Sequence, residues 1–85
     1  MQDWNGVSDY LVTKCNEHGG YYKLTIKEAN RLAKRTERLQ MDAKIDGRKI
    51  RETIIPVYMM RHPDYEFGVS KDEKYVWCRR RGVLG

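Results

Sequence analysis

Apolar residues at Trp4, Val7, Leu11 and Cys15, with Tyr10 beside them, recur every three to four positions. That spacing gathers them on one side of a helix. Asp3 or Asn5 can cap its start. Gly19-Gly20 ends it, because glycine readily takes the left-handed conformation that follows a last helical turn. Tyr21-Tyr22-Lys23-Leu24 then reads as a short strand, too brief to stand without a partner. Thr25-Ile26-Lys27-Glu28 is a capping box: the Thr hydroxyl accepts from the Glu backbone N–H and the Glu side chain reaches back. A helix is therefore expected to start at Ile26.

This second helix has two opposed faces. At 100° per residue, Ile26, Ala29, Leu32, Ala33, Thr36 and Leu39 fall on one side. Lys27, Arg31, Lys34, Arg35 and Arg38 fall on the other, within about 100° of arc. Like charges at i, i+4 repel by roughly 0.2–0.5 kcal/mol per pair. Only Glu28 and Glu37 flank the row. Five aligned bases exceed what solubility requires and point to phosphates.

Residues 40–62 admit two readings. Asp46-Gly47 is a turn signal, and Met41–Ile45 with Arg48–Thr53 can form a hairpin around it. Alternatively a helix begins near Arg48, with Ile50, Ile54, Val57, Tyr58 and Arg61 on one side. Pro56 fits that helix if Thr53 is its cap and Pro56 lies in the first turn, or if the helix kinks. The helical reading is preferred. It places Ile55 and Met59 on the opposite face, exposed unless a second chain or element covers them. After His62-Pro63, Tyr65–Val69 and Lys74–Arg79 flank the polar loop Ser70-Lys71-Asp72-Glu73 as a hairpin. This loop length pairs Val69 with Lys74, Phe67 with Val76 and Tyr65 with Cys78. Tyr65, Phe67, Val69, Val76 and Cys78 then share the core face, and Tyr75, Trp77 and Arg79 the other.

The pattern thus describes an α+β chain: a small three-helix domain with a short strand and a C-terminal β-hairpin. Its 85 residues suit one domain, 1–85, with one modest core. The longest apolar run, 54–60, is broken by Pro56 and is too short to span a bilayer. The first residues lack the basic-then-apolar order of a secretory signal, so a cytoplasmic location is expected. Two cysteines, Cys15 and Cys78, make no disulfide framework. Free thiols are the default, and their spacing alone leaves one bridge open.

Charge is unevenly distributed. The net charge is +5; residues 1–20 carry −2, residues 21–62 carry +6 and residues 63–85 carry +1, with Arg79, Arg80 and Arg81 consecutive. A basic middle and a basic tip point to a polyanion. Other chemistry is thinner. Cys15, His18, His62 and Cys78 supply a nominal Cys2His2 set, but the spacing matches no common zinc finger, so no metal or other cofactor is expected. A small basic ribonuclease would use His62 or tyrosines as acid–base groups and Arg79–Arg81 against developing charge. No residue spacing supports it, and an enzyme is not expected. Trp77 and Tyr75 can stack on bases, although aromatic residues in strands more often pack against a neighbouring element.

The order of elements resembles a winged helix-turn-helix, and Leu24-Thr25-Ile26-Lys27-Glu28-Ala29 is similar to the opening of a helix in excisionase-like regulators. In those regulators a sharp turn, commonly at Gly, follows within a few residues; here Asn30–Leu39 continues as helix. The resemblance implies duplex DNA as partner. It places Arg48, Lys49 and Arg51 at the start of a third helix that reads base edges. Lys71, Lys74, Arg79, Arg80 and Arg81 fall on the wing, and Lys27, Arg31, Lys34, Arg35 and Arg38 on phosphates. A small regulator or recombination accessory factor, of phage or mobile-element type, is the expected role. The alternative is an adaptor or inhibitor that meets a protein partner, or a second copy of itself, through Ile55, Met59 and Met60.

Overall fold

The computed structural model describes residues 4–34 and 45–82. Helix α1 (Trp4–Glu17) leads into strand β1 (Tyr21–Thr25) and helix α2 (Ile26–Lys34). One continuous helix, α3 (47–61), follows. It consists of an α-helical turn Gly47–Lys49, a π-helical segment Ile50–Ile54 and a second α-helical part Ile55–Arg61. Strands β2 (Tyr65–Val69) and β3 (Tyr75–Arg80) complete an antiparallel sheet of order β1-β3-β2.

The three helices cover one face of this sheet. Val7, Leu11 and Cys15 from α1 meet Ala29 and Ala33 from α2, Ile50, Ile55 and Tyr58 from α3, and Leu24, Phe67, Val76 and Cys78 from the strands. Tyr58 packs edge-on against Phe67, ring centres 5.2 Å apart, and its hydroxyl donates to the Trp4 carbonyl. Cys15 and Cys78 are free and fully buried. Burial, followed by the neighbouring Cys15, pushes the Cys78 thiol well above its ordinary range. Cys15 and Cys78 thus serve as core packing, while His18 is exposed and stacks on Tyr22. No group of three or more metal-binding side chains occurs among the described residues.

The helix expected at Ile26 starts there, with the Thr25 hydroxyl accepting from the Glu28 N–H at 3.0 Å. Ala29 and Ala33 face the core; Lys27 and Arg31 are exposed. Arg35, Thr36, Arg38 and Leu39 lie outside the described residues. The most consequential side chain of α2 is Asn30, only 5% exposed. Its amide donates to the carbonyls of Ile26 and Ile45 and accepts from the Ile45 N–H, at 3.0, 2.8 and 2.8 Å. Asn30 thereby fixes where the chain re-enters the fold before α3.

The preferred helix near Arg48 forms, its strand alternative falls, and two expectations about its cap and inward face need correction. The Arg48–Thr53 stretch is helical, so the alternative strand there is excluded; Met41–Lys44 lie outside the described residues. The cap is Asp46, whose carboxylate accepts from the Lys49 N–H at 2.9 Å, while Thr53 donates back to the Lys49 carbonyl inside the helix. The inward face of α3 also differs from an α-helical projection. The Ile55 N–H bonds the Ile50 carbonyl, five residues back. One extra residue in a turn retards the helix by about 100°. Beyond the bulge the core therefore receives Ile55 and Tyr58, while Val57 is 48% exposed and Met60 82%. Met59 is half-buried against the core. The widened turn also accommodates Pro56, which lacks an N–H and would crowd the carbonyl four residues back in an unbroken α-helix.

The hairpin is two residues out of the expected register: Val69 pairs with Val76, Phe67 with Cys78 and Tyr65 with Arg80. An even slip keeps every side chain on its face, so Phe67, Val76 and Cys78 still point inward.

Two stability measurements test this account. Ile55→Ala should cost about 2–4 kcal/mol and Val57→Ala under about 0.5 kcal/mol in urea unfolding; an uninterrupted α-helix predicts the reverse order. Asn30→Ala should cost about 2–3 kcal/mol, because it strips partners from buried backbone groups.

Candidate nucleic-acid interface

Three elements meet at one end of the molecule: the start of α2, the start of α3 and the β2–β3 loop. The Ile26 N–H donates to the Lys74 carbonyl at 2.9 Å, which ties α2 to the loop. Gly47 is buried against Glu73, where an added Cβ would stand 2.8 Å from both the Glu73 Cβ and its carbonyl oxygen. Only a glycine lets α3 approach so closely. Arg51 spans the same junction, donating to the Glu73 carboxylate at 3.0 Å and the Ser70 carbonyl at 3.3 Å.

The loop is internally braced. Ser70 Oγ accepts from the Lys74 and Tyr75 N–H groups and donates to Asp72. Asp72 also accepts from the Lys74 N–H at 3.1 Å. These bonds, first the Ser70 hydroxyl and then the backbone, hold the Asp72 carboxyl below its usual range. Glu73 takes a left-handed backbone, φ 60°. Lys71 and Lys74 are thus carried outward on a shaped turn, with both side chains exposed.

The predicted contact residues divide. Lys27 and Arg31 on α2, Lys49 on α3 and Lys71 and Lys74 on the loop are exposed and take part in no ion pair among the described residues. Arg48 pairs with Glu52 at 3.2 Å. Arg51 is committed to the junction. Lys34 lies in α2, and Arg35 and Arg38 are outside the described residues. Arg79, Arg80 and Arg81 do not join the loop lysines as one wing surface. They lie at the opposite end of β3, roughly 20 Å away at 3.3 Å per residue. There Arg79 and Arg81 both engage Glu66, and Arg80 donates to Asn16 at 2.7 Å. Gly19, Gly20, Tyr21, Glu66, Gly82 and the three arginines line an open groove of about 650 Å³.

The surface assigned to a protein partner also divides. Ile55 is buried and Met59 half-buried, whereas Met60 stands outward with Val57. His62 donates from Nε2 to the Asp9 carboxylate at 3.0 Å, and Asp9 also accepts from Arg61. No helix of the described residues is long and apolar enough to cross a membrane.

Two structural residues escaped the sequence reading. Asn30 sits mid-helix, where an amide signals nothing by itself. Gly47 follows Asp46 and reads as half of a hairpin turn, although it is the first residue of a helix. Comparison of the chain with protein-family models, curated proteins and solved structures finds no match.

Gly47→Ala should destabilise the fold by about 1–3 kcal/mol, since its methyl group meets backbone rather than a yielding side chain. A urea midpoint unchanged from the parent would mean that α3 does not dock on the loop as described.

Proposed function

We propose that the chain binds duplex DNA through the end where α2, α3 and the β2–β3 loop converge. The carrying observation is that Lys27, Arg31, Lys49, Lys71 and Lys74 come from three elements and their side chains form no ion pair among the described residues. Paired cations cost a nucleic acid the breaking of an existing interaction; unpaired ones do not. The reading assigns Arg48 and Lys49, on the first turn of α3, to base edges in the major groove. Lys71 and Lys74 flank it as a wing on the backbone, and Lys27 and Arg31 neutralise phosphates. The order helix, strand, helix, helix, hairpin supports the same winged-helix reading. The role that fits is a small regulator or recombination accessory factor that acts by binding alone.

Outward Val57 and Met60 favour one second reading, an adaptor for a protein partner. Duplex binding separates the two. Neutralising four phosphates, through Lys27, Arg31, Lys71 and Lys74, predicts a log–log salt slope of about −3.6. Lys49→Glu with Lys71→Glu should weaken binding to a random 20-bp duplex at least tenfold at 50 mM salt and flatten that slope by about 1, the share of Lys71, with the thermal midpoint near the parent value. Titration by fluorescence anisotropy checks this. A parent chain that ignores the duplex at 50 mM salt eliminates the DNA reading.

A further inference from the structure

Among the described residues, the helices cover only one side of the sheet. Directly paired residues of antiparallel strands share a face, and so do residues two apart. The registers therefore define three rows on the side opposite the core: Tyr21, Arg79 and Glu66; then Lys23, Trp77 and Gly68; then Thr25 with Tyr75. The inward rows hold the buried Leu24, Val76, Phe67 and Cys78. On the outward rows Tyr21, Lys23 and Arg79 are exposed, and Trp77 and Tyr75 are half-buried.

This face combines rings with cations. The Trp77 indole lies across β2 at Gly68, where an added Cβ would stand 2.4 Å from the ring. Without a side chain at 68, the ring can lie over β2, while Lys23 of β1 pairs with Trp77 from the other side of β3. The Lys23 ammonium sits 4.3 Å from the Tyr75 ring centre. One end of the face opens into the groove of about 650 Å³ between Tyr21, Arg79, Arg81 and Glu66, a volume in the range of small-ligand sites. Lys23, Arg79 and Arg81 against Glu66 leave the face cationic.

We propose that this open sheet face binds single-stranded nucleic acid. Tyr21, Trp77 and Tyr75 offer one ring per row, the rows about 7 Å apart, so that successive unpaired bases can stack in turn. Lys23, Arg79 and Arg81 follow the phosphates. Stacking on rings with a basic track alongside is how sequence-tolerant single-strand sites work, and a duplex, with its bases already stacked and paired, cannot use the rings. Glu66 holds both Arg79 and Arg81, so a phosphate entering the groove competes with that carboxylate. The face is separate from the α3 and loop end, and the proposal does not depend on duplex binding there.

Trp4→Phe leaves Trp77 as the single indole of a chain that has two, and the Trp4 carbonyl that Tyr58 uses is kept. This variant is titrated with dT12, U12 and a 12-bp duplex at 50 mM salt. Binding by the parent chain is followed in parallel through the anisotropy of labelled oligonucleotides. Saturable quenching by dT12 or U12 is expected, and the stronger of the two identifies the preferred backbone. Tyr21→Ala and Arg79→Glu should each weaken single-strand binding at least fivefold. Glu66→Gln should tighten it at least twofold by freeing both arginines, a gain that damage to the fold would not produce. Lys49→Glu with Lys71→Glu should leave it within twofold. The proposal is overturned if neither single strand binds the parent chain, if the duplex quenches Trp77 as strongly, or if Tyr21→Ala and Arg79→Glu bind as the parent does.

Discussion

The position of α3 rests on the buried amide of Asn30. It supplies all three of its bonds to backbone, two of them to the single residue Ile45. A buried amide that missed these partners would cost more than an apolar side chain in its place, so the arrangement admits little alternative. With Ile45 pinned to α2, Asp46 falls where it caps the next helix and Gly47 where it meets Glu73. Arg51, one turn further on, then reaches the loop. The convergence of three basic elements at one end follows from that sequence of contacts.

Within that frame, arginine and lysine have divided the work. Among the described residues, six arginines outside α2 meet a side-chain acceptor: Arg48 with Glu52, Arg51 with Glu73, Arg61 with Asp9, Arg79 and Arg81 with Glu66, and Arg80 with Asn16. A planar guanidinium offers several fixed donors and suits such junctions, whereas an ammonium is a hydrated point charge on a flexible stem. The exposed pairs contribute about 0–1 kcal/mol each, so their effect lies less in stability than in deciding which cations stay free. Among the described residues, those without an ion pair are mainly Lys27, Lys49, Lys71 and Lys74. A count of bases along the chain cannot make that distinction, and the Arg79–Arg81 run is the case in point. It is the densest charge in the sequence, yet each of its guanidiniums already has a partner.

Legibility followed the range of the interaction. The Thr25 cap, the spacing of Val7, Leu11 and Cys15, and the alternation through Phe67, Val76 and Cys78 are local patterns, and each predicted its element. The register of the hairpin was not local. It is set by Ser70 and Asp72 collecting the N–H groups of Lys74 and Tyr75, bonds that pattern alone cannot rank against a tighter loop. The π-helical turn was invisible for a similar reason. Ile54 and Ile55 are equally apolar, and only the wider turn before Pro56 decides that the second of them enters the core. That one-residue retardation removed Ile55 from the surface and put Val57 there. The exposure of Lys27, Arg31, Lys71 and Lys74 was thus readable from local pattern, whereas the separation of the loop lysines from the C-terminal arginines, at opposite ends of β3, was not.

That separation lets the two proposed surfaces occupy different parts of so small a chain. β3 is central in the sheet, so its two ends and its outward face belong to different neighbourhoods. At one end it delivers Lys74 to the helix starts; at the other it delivers Arg79 and Arg81 to Glu66 and the Gly19-Gly20 turn. Between them, Trp77 spreads over Gly68 rather than under a helix. Any residue larger than glycine at 68 would lift the indole off β2 and break the row of rings. A glycine in mid-strand weakens a sheet. Here that cost accompanies a flat aromatic surface between two cationic ends, an arrangement that core packing does not require.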